Sequence, residues 1–397
     1  MRTDELASGS FHLGLAEKII ALLQDGSFTT TYKYAVLLGL IDLAVENIGL
    51  PESPKTFYTP QLADKIIDLY FQQTEHFSSN TSGAKLLQQV SGKGKQAGIL
   101  TLISDFKKAG NPAWMDLMRA RRSKTKAYLG LRNRVEWILI SMPLPRLQRV
   151  GHTASDPFLY FVPWNDQIKR GVVSGYQATG QGFDNRVILK PGVAEALVRL
   201  NGLLRPLIQT EWARKVAELN SLEHSSIQDF LFHSDRIALT KIASPLMDLQ
   251  KGFCFYCQTR LPQRATPAQA GARGGRRAEP LEERTAEVDH FVPWSRRRDN
   301  DLTNLVLSHH KCNNAKRDSF AAVPHLRHWL ERLSKHESPL QQVADEFDWE
   351  YNPHSARVVT KSMYQSLPAG TSLWVAGRSN FESLRIGDLA ECFGDES

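Results

Sequence analysis

Along residues 29–47 apolar side chains fall on nearly every helical face. Threonines that can cap precede Tyr34-Ala-Val-Leu-Leu-Gly-Leu-Ile-Asp-Leu-Ala, which predicts a buried helix. Thr59-Pro60 supplies a second cap and first-turn pair, after which Leu62, Ile66, Leu69 and Tyr70 keep helical spacing. A further helix is predicted over 97–106, so residues 1–110 read as a helical module. From 111 the pattern becomes mixed. The runs 135–140 (Val-Glu-Trp-Ile-Leu-Ile), 158–162 (Phe-Leu-Tyr-Phe-Val) and 186–189 (Arg-Val-Ile-Leu) are short and rich in β-branched and aromatic residues. They read as strands, and a long helical stretch over about 193–219 follows them. Residues 111–236 are therefore expected to form an α/β module concerned with recognition or regulation.

The remaining stretch, 237–397, has another character. Helical spacing before Lys251-Gly252 gives way to a knuckle at Cys254, and helices resume at about 325–333 around a core Trp329. The stretch 262–285 is rich in Gly, Ala, Arg and Pro and cannot bury enough apolar surface to order itself, so it reads as a flexible insertion. The whole chain is expected to be an α+β multidomain protein whose last domain ends in a helical extension.

Composition narrows this only a little. The chain has 397 residues, 42% of them hydrophobic and 23% charged, which suits soluble folded domains. A net charge of +7 favours a polyanionic partner. The N-terminal residues carry Asp4-Glu5 and no apolar segment, unlike a secretory signal, and the apolar stretch 35–45 is too short to span a bilayer. No membrane association is expected. Cys254, Cys257, Cys312 and Cys392 are too few for a disulfide framework in so long a chain. Three of them lie in one motif, which points to metal in a reducing, cytoplasmic setting.

That motif carries the chemistry. Cys254-Phe-Tyr-Cys257 places two thiolates at the spacing that shares one tetrahedral zinc, and His309-His-Lys-Cys312 repeats the spacing. The expected structural zinc ligands are Cys254, Cys257, His309 and Cys312, with His310 as rival for the third place. Between the pairs lie Glu287-Val-Asp289-His290, Asn304-Leu-Val-Leu and Cys312-Asn313-Asn-Ala-Lys316. In this order they resemble the HNH nucleases, or ββα-metal nucleases, in the branch where zinc pairs tie the motif's ends together. The resemblance covers about 250–318, a minority of the chain. The chain departs from the pattern in its His at the third zinc position and its long basic insertion.

The resemblance implies a metal-dependent endonuclease. His290 would be the general base, since a neutral imidazole is available near pH 7. Asp289 and Asn313 would hold a catalytic Mg²⁺ or Mn²⁺, and Asn304 would hold the His290 ring. Lys316, one helical turn beyond Asn313, would reach a phosphate. Arg296, Arg297 and Arg298 either grip a DNA backbone or form a solvated charge run. Double-stranded DNA is the expected substrate, and restriction or phage defence the implied setting. Two other readings stay open. One is a zinc-dependent nucleic-acid-binding protein without turnover; the other is a nuclease kept silent until a partner protein or ligand engages the N-terminal half.

Overall fold

The structure is a computed structural model, and it describes residues 2–25, 29–48, 56–79, 82–92, 94–149, 157–232, 239–262 and 286–394. The insertion expected at 262–285 lies, from 263 onward, outside the described residues. The chain divides into two compact units, Met1–Asp235 and Arg236–Ser397.

In the first unit α1 (Arg2–Gln24) and α2 (Tyr32–Asn47) lead into β1 (Thr56–Tyr58) and α3 (Thr59–Phe71). A hairpin, β2 (His76–Ser79) and β3 (Ser82–Leu86), precedes α4 (Gly98–Lys108), α5 (Trp114–Arg122), α6 (Lys126–Ser141) and the short α7 (Pro143–Arg146). Then come β4 (Tyr160–Phe161), α8 (Arg170–Thr179), β5 (Arg186–Leu189), α9 (Val193–Arg199), α10 (Asn201–Asn220) and α11 (His224–Phe232). Helix α2 is the core: from Tyr32 to Val45 every residue is buried, as its all-round apolar pattern requires. Thr31 makes no cap bond. Its hydroxyl instead meets Tyr70 Oη at 2.7 Å and Gln89 Oε1 at 2.8 Å inside the core.

Two expectations change here. Residues 135–140 are helical, because Tyr128, Leu131, Val135 and Leu139 already form one buried face of α6, with Thr125 capping its start. The β-branched run is only the end of a 3.6-residue pattern that a six-residue window cannot show. Nor do 1–110 and 111–236 form separate modules. β1 pairs antiparallel with β5 (Phe57 opposite Val187), β5 pairs with β4, and α3 packs along α6. The strands expected at 158–162 and 186–189 are present in that three-stranded sheet.

The second unit runs α12 (Ala243–Leu249), β6 (Ala286–His290), β7 (Leu305–His309), α13 (His310–Lys316) and α14 (Val323–Lys335). It continues through α15 (Glu337–Phe347), α16 (Pro353–Gln365), the hairpin β8 (Ser372–Ala376) and β9 (Asn380–Ser383), and α17 (Ile386–Phe393). β6 and β7 are antiparallel, with Asp289 opposite Val306 and His290 opposite Leu305. Trp329 of α14 is fully buried, stacks on Phe291 at 5.1 Å and donates its indole N–H to Thr303 O at 2.8 Å. Arg332, one turn later, donates to Thr303 O and Leu305 O, so α14 satisfies the carbonyls leading into β7.

One interaction in the first unit is open to test. Arg205 on α10 is 1% exposed and pairs with Asp42 of α2, which is itself buried. Arg205→Leu strands that carboxylate, and a loss of about 3–5 kcal/mol in urea unfolding is expected. Replacing both residues by apolar ones should recover most of it. A single variant that unfolds at the wild-type midpoint would show that the pair does not hold α2 to α10.

Candidate metal centre and active site

The knuckle begins where Gly252, at φ +76°, turns the chain out of α12. The Cys254 amide donates to Thr259 O at 2.9 Å, the Gln258 amide to Cys254 O at 3.0 Å and the Leu261 amide to Gly252 O at 2.8 Å. These bonds fold 252–261 into a tight hairpin with both cysteines at its tip. Its position against β7 is fixed by two contacts on the edge away from β6. The Phe255 amide donates to Leu307 O at 3.0 Å, while the Gln250 side-chain amide donates to Leu307 O and accepts from Leu307 N at 2.7 Å. Gln250 thus completes the open edge of a buried strand.

The hairpin meets the junction of β7 and α13. Cys254, Cys257, His309 and Cys312 bring their ligand atoms within 4.8 Å of one another, and Cys257 Sγ lies 3.4 Å from His309 Nδ1. A tetrahedral zinc with sulfur ligands at about 2.3 Å separates them by roughly 3.8 Å, so the set fits that ion. His309 donates Nε2–H to Arg260 O at 3.0 Å, which fixes the tautomer with Nδ1 facing the sulfurs. A hydrogen bond from the Cys312 thiol, opposed by burial and helped by nearby backbone N–H groups, pulls the Cys254 thiol down to about 4. The same bond pushes Cys312 up. Thiols must lose their protons to bind a divalent metal, so a cluster in which one thiol is already acidified favours that exchange. His310 is not a ligand here: its Nδ1–H donates to Glu287 Oε1 at 2.6 Å, and its Nε2 accepts from Asn314.

Helix α13 lies over one face of β6. Residues two apart on a strand share a face, and residues three apart on a helix do too. Accordingly Asn313 donates Nδ2–H to Glu287 Oε2 at 2.9 Å, and Lys316 Nζ sits 3.1 Å from Asp289 Oδ2. Asp289 is buried and also accepts from the Tyr256 hydroxyl at 2.6 Å. Lys316 is 0% exposed and donates to His290 O at 2.8 Å. It therefore does not stand at a phosphate, as its helical spacing suggested. It neutralises Asp289 and ties α13 to the end of β6.

His290 closes β6. Its Nε2–H donates to Asn300 Oδ1 at 2.8 Å and its ring lies 5.0 Å from that of Trp294. Burial lowers its pKa, opposed by the Asn300 bond and the nearby Asp289, so the imidazole is neutral at pH 7 with Nδ1 as the free basic nitrogen. Asn304 was expected to hold this ring and does not. Fully buried, it clamps the chain just past His290: its Oδ1 accepts from Val292 N at 2.8 Å and its backbone carbonyl from Phe291 N at 2.7 Å. The ring's partner is Asn300, four residues earlier, in an Asp-Asn-Asp loop that carries no spacing signal.

The arginine run divides. Arg297 is buried and paired with Asp299, so it cannot grip DNA from this position. Arg296 and Arg298 are half-buried over the rings of Phe320 and Trp294. Glu287 and Tyr256 were quoted in the sequence without a role, and both now hold site residues. The alternation of Glu287 with Asp289 is the signal that could have placed the first; nothing local marks the second.

The two candidates for the third zinc position separate by substitution. Purified chain is expected to hold one zinc, His309→Ala to hold markedly less, and His310→Ala to keep it, as read by elemental analysis. Equal loss from both variants would mean that the ligand set is wrong.

Residues 277–322 match the model of a family described as HNH endonuclease. No curated protein and no solved structure gives a match. The matched stretch takes in β6, β7 and α13 with Asp289, His290, Asn304 and Asn313, and it begins after the Cys254–Cys257 knuckle. Strand, loop, strand and helix follow one another here, the His ends the first strand, and a metal-fitting cluster pins the helix. The second unit of this chain contains an HNH endonuclease domain.

Proposed function

We propose that the protein is a divalent-metal-dependent endonuclease acting on double-stranded DNA. The observation that carries this reading is His290, held at the end of β6 by Asn300, directly after a buried Asp289. In the proposed reaction His290 Nδ1 takes a proton from water, the water oxygen forms a bond to phosphorus, and the bond from phosphorus to the leaving oxygen breaks. A Mg²⁺ or Mn²⁺ held by Asp289 and Asn313 would stabilise the charge on the phosphate and leaving oxygen. The oxygen-rich donor pair suits such hard ions. Glu287 accepts a hydrogen bond from the Asn313 amide nitrogen, which leaves the amide oxygen Oδ1 to serve the cation in this reading.

Lys316 acts in this scheme as an internal counter-charge, and Asn304 as a clamp on the strand exit. Contacts to DNA fall instead to exposed groups around the site, such as Lys311 and Arg317 on and after α13. A place in restriction or phage defence is supported by the family resemblance alone. A thiol-reducing cytoplasm suits the Cys/His cluster. Among the described residues no helix is long and apolar enough to cross a membrane.

Supercoiled plasmid incubated with Mg²⁺, then Mn²⁺, tests the assignment. Wild type should nick or linearise it, and His290→Ala should be slower by about 10²–10⁴-fold, the worth of a general base. Asn300→Ala, which frees the ring, should lose on the order of 10²-fold. Cleavage that survives His290→Ala unchanged would show that the base lies elsewhere.

A further inference from the structure

Tyr256 belongs to the zinc knuckle by sequence and to the active site by contact. It is the third residue of Cys254-Phe-Tyr-Cys257, so the two thiolates of the candidate zinc site bracket its backbone within one turn. Its ring is buried and gripped edge-on by three others: Phe255 at 5.2 Å, His325 at 5.4 Å and Trp374 at 5.1 Å. A ring so enclosed has one direction in which to send its hydroxyl, and that direction ends at Asp289 Oδ2, 2.6 Å away. A phenol hydroxyl facing a carboxylate oxygen at this distance is the donor of the pair. Lys316 Nζ approaches the same oxygen at 3.1 Å. Both donors take Oδ2, and Oδ1 is the oxygen they leave.

A phenylalanine would keep the same ring contacts, since it differs from tyrosine only in lacking the hydroxyl. The hydroxyl therefore adds something that packing does not need. We infer that Tyr256 is a positioning residue that connects the zinc knuckle to the metal-binding carboxylate: it orients Asp289 so that Oδ1 faces the divalent cation. Closing the knuckle on zinc fixes the Tyr256 backbone, and the hydroxyl passes that placement to Asp289. The catalytic cation then binds tightly only when the structural site is formed. This rests on the nuclease reading, in which Asp289 holds Mg²⁺ or Mn²⁺.

The test uses the full chain and Tyr256→Phe. Zinc content is read by elemental analysis, Mn²⁺ binding by the loss of the free-ion signal in electron paramagnetic resonance, and plasmid nicking as a function of Mg²⁺ concentration. The variant is expected to keep one zinc and to bind Mn²⁺ on the order of 10- to 100-fold more weakly, the usual loss when a metal ligand loses its supporting hydrogen bond. The Mg²⁺ concentration for half-maximal nicking should rise by a similar factor, with the maximal rate largely restored at saturating metal. A purely structural defect would instead lower the maximal rate and leave the Mg²⁺ dependence unmoved. Unchanged Mn²⁺ affinity with one zinc bound would overturn the inference and leave the nuclease reading intact. Loss of zinc from Tyr256→Phe would also overturn it, because the hydroxyl would then serve the knuckle and not Asp289. Wild-type protein that binds no Mn²⁺ would overturn the nuclease reading itself, and this inference with it.

Discussion

Two five-residue strands and a seven-residue helix cannot stand alone in water, since a single strand pair is marginal and so short a helix does not repay its nucleation. What makes them a fixed platform is the meeting of Cys254, Cys257, His309 and Cys312. His309 ends β7 and Cys312 lies in the first turn of α13, so the cluster grips the corner between strand and helix. The hairpin at 252–261 comes from a segment that precedes β6 by more than twenty residues. The tie therefore closes a long loop, where a cross-link removes the most chain entropy. Metal binding in such sites is folding free energy.

A second layer of constraint is polar and buried. Lys316, Asp289, Tyr256 and the His290 carbonyl form a compact network in which each charge has its counter-charge and each donor its acceptor. Burying an ammonium or a carboxylate is costly unless paired, so these residues hold one another in a single arrangement. Asn304, Trp329 and Arg332 do the same for the loop between the strands by occupying its backbone groups. The result is a histidine at a strand end whose backbone cannot drift, with its ring set separately by Asn300. Pre-organisation of this kind keeps reacting groups within tenths of an ångström of their working positions.

The first unit follows different physics. Its stability comes from an apolar helix wrapped by others, where each fully buried Leu, Ile or Val contributes about 1.5–3 kcal/mol, and from the enclosed Asp42–Arg205 pair. The small sheet of β1, β5 and β4 draws strands from positions more than a hundred residues apart, which makes the unit one cooperative body.

Much of the site was legible in the residues themselves. Matched two-residue gaps predict the cluster because thiolate and imidazole spacing is set by local turn geometry, and His309 rather than His310 stands in it. That Asp289-His290 ends a strand, as β6 does, follows from the resemblance to the HNH motif and not from local pattern. Local pattern failed where the deciding information lay elsewhere in the chain. Residues 135–140 look like a strand until the buried face running back to Tyr128 is seen. Lys316 and Arg297 look like phosphate contacts because charge in sequence carries no sign of burial, and only the folded chain sets Asp289 and Asp299 beside them. Asn300 and Tyr256 were invisible for the same reason: their roles are hydrogen bonds across ten and thirty-three residues. The sequence by itself determined which groups can do chemistry, because that follows from residue type and short spacing. Tertiary structure alone decided which of them are free to act and which are spent holding the others, because burial and partnership arise only when distant segments meet.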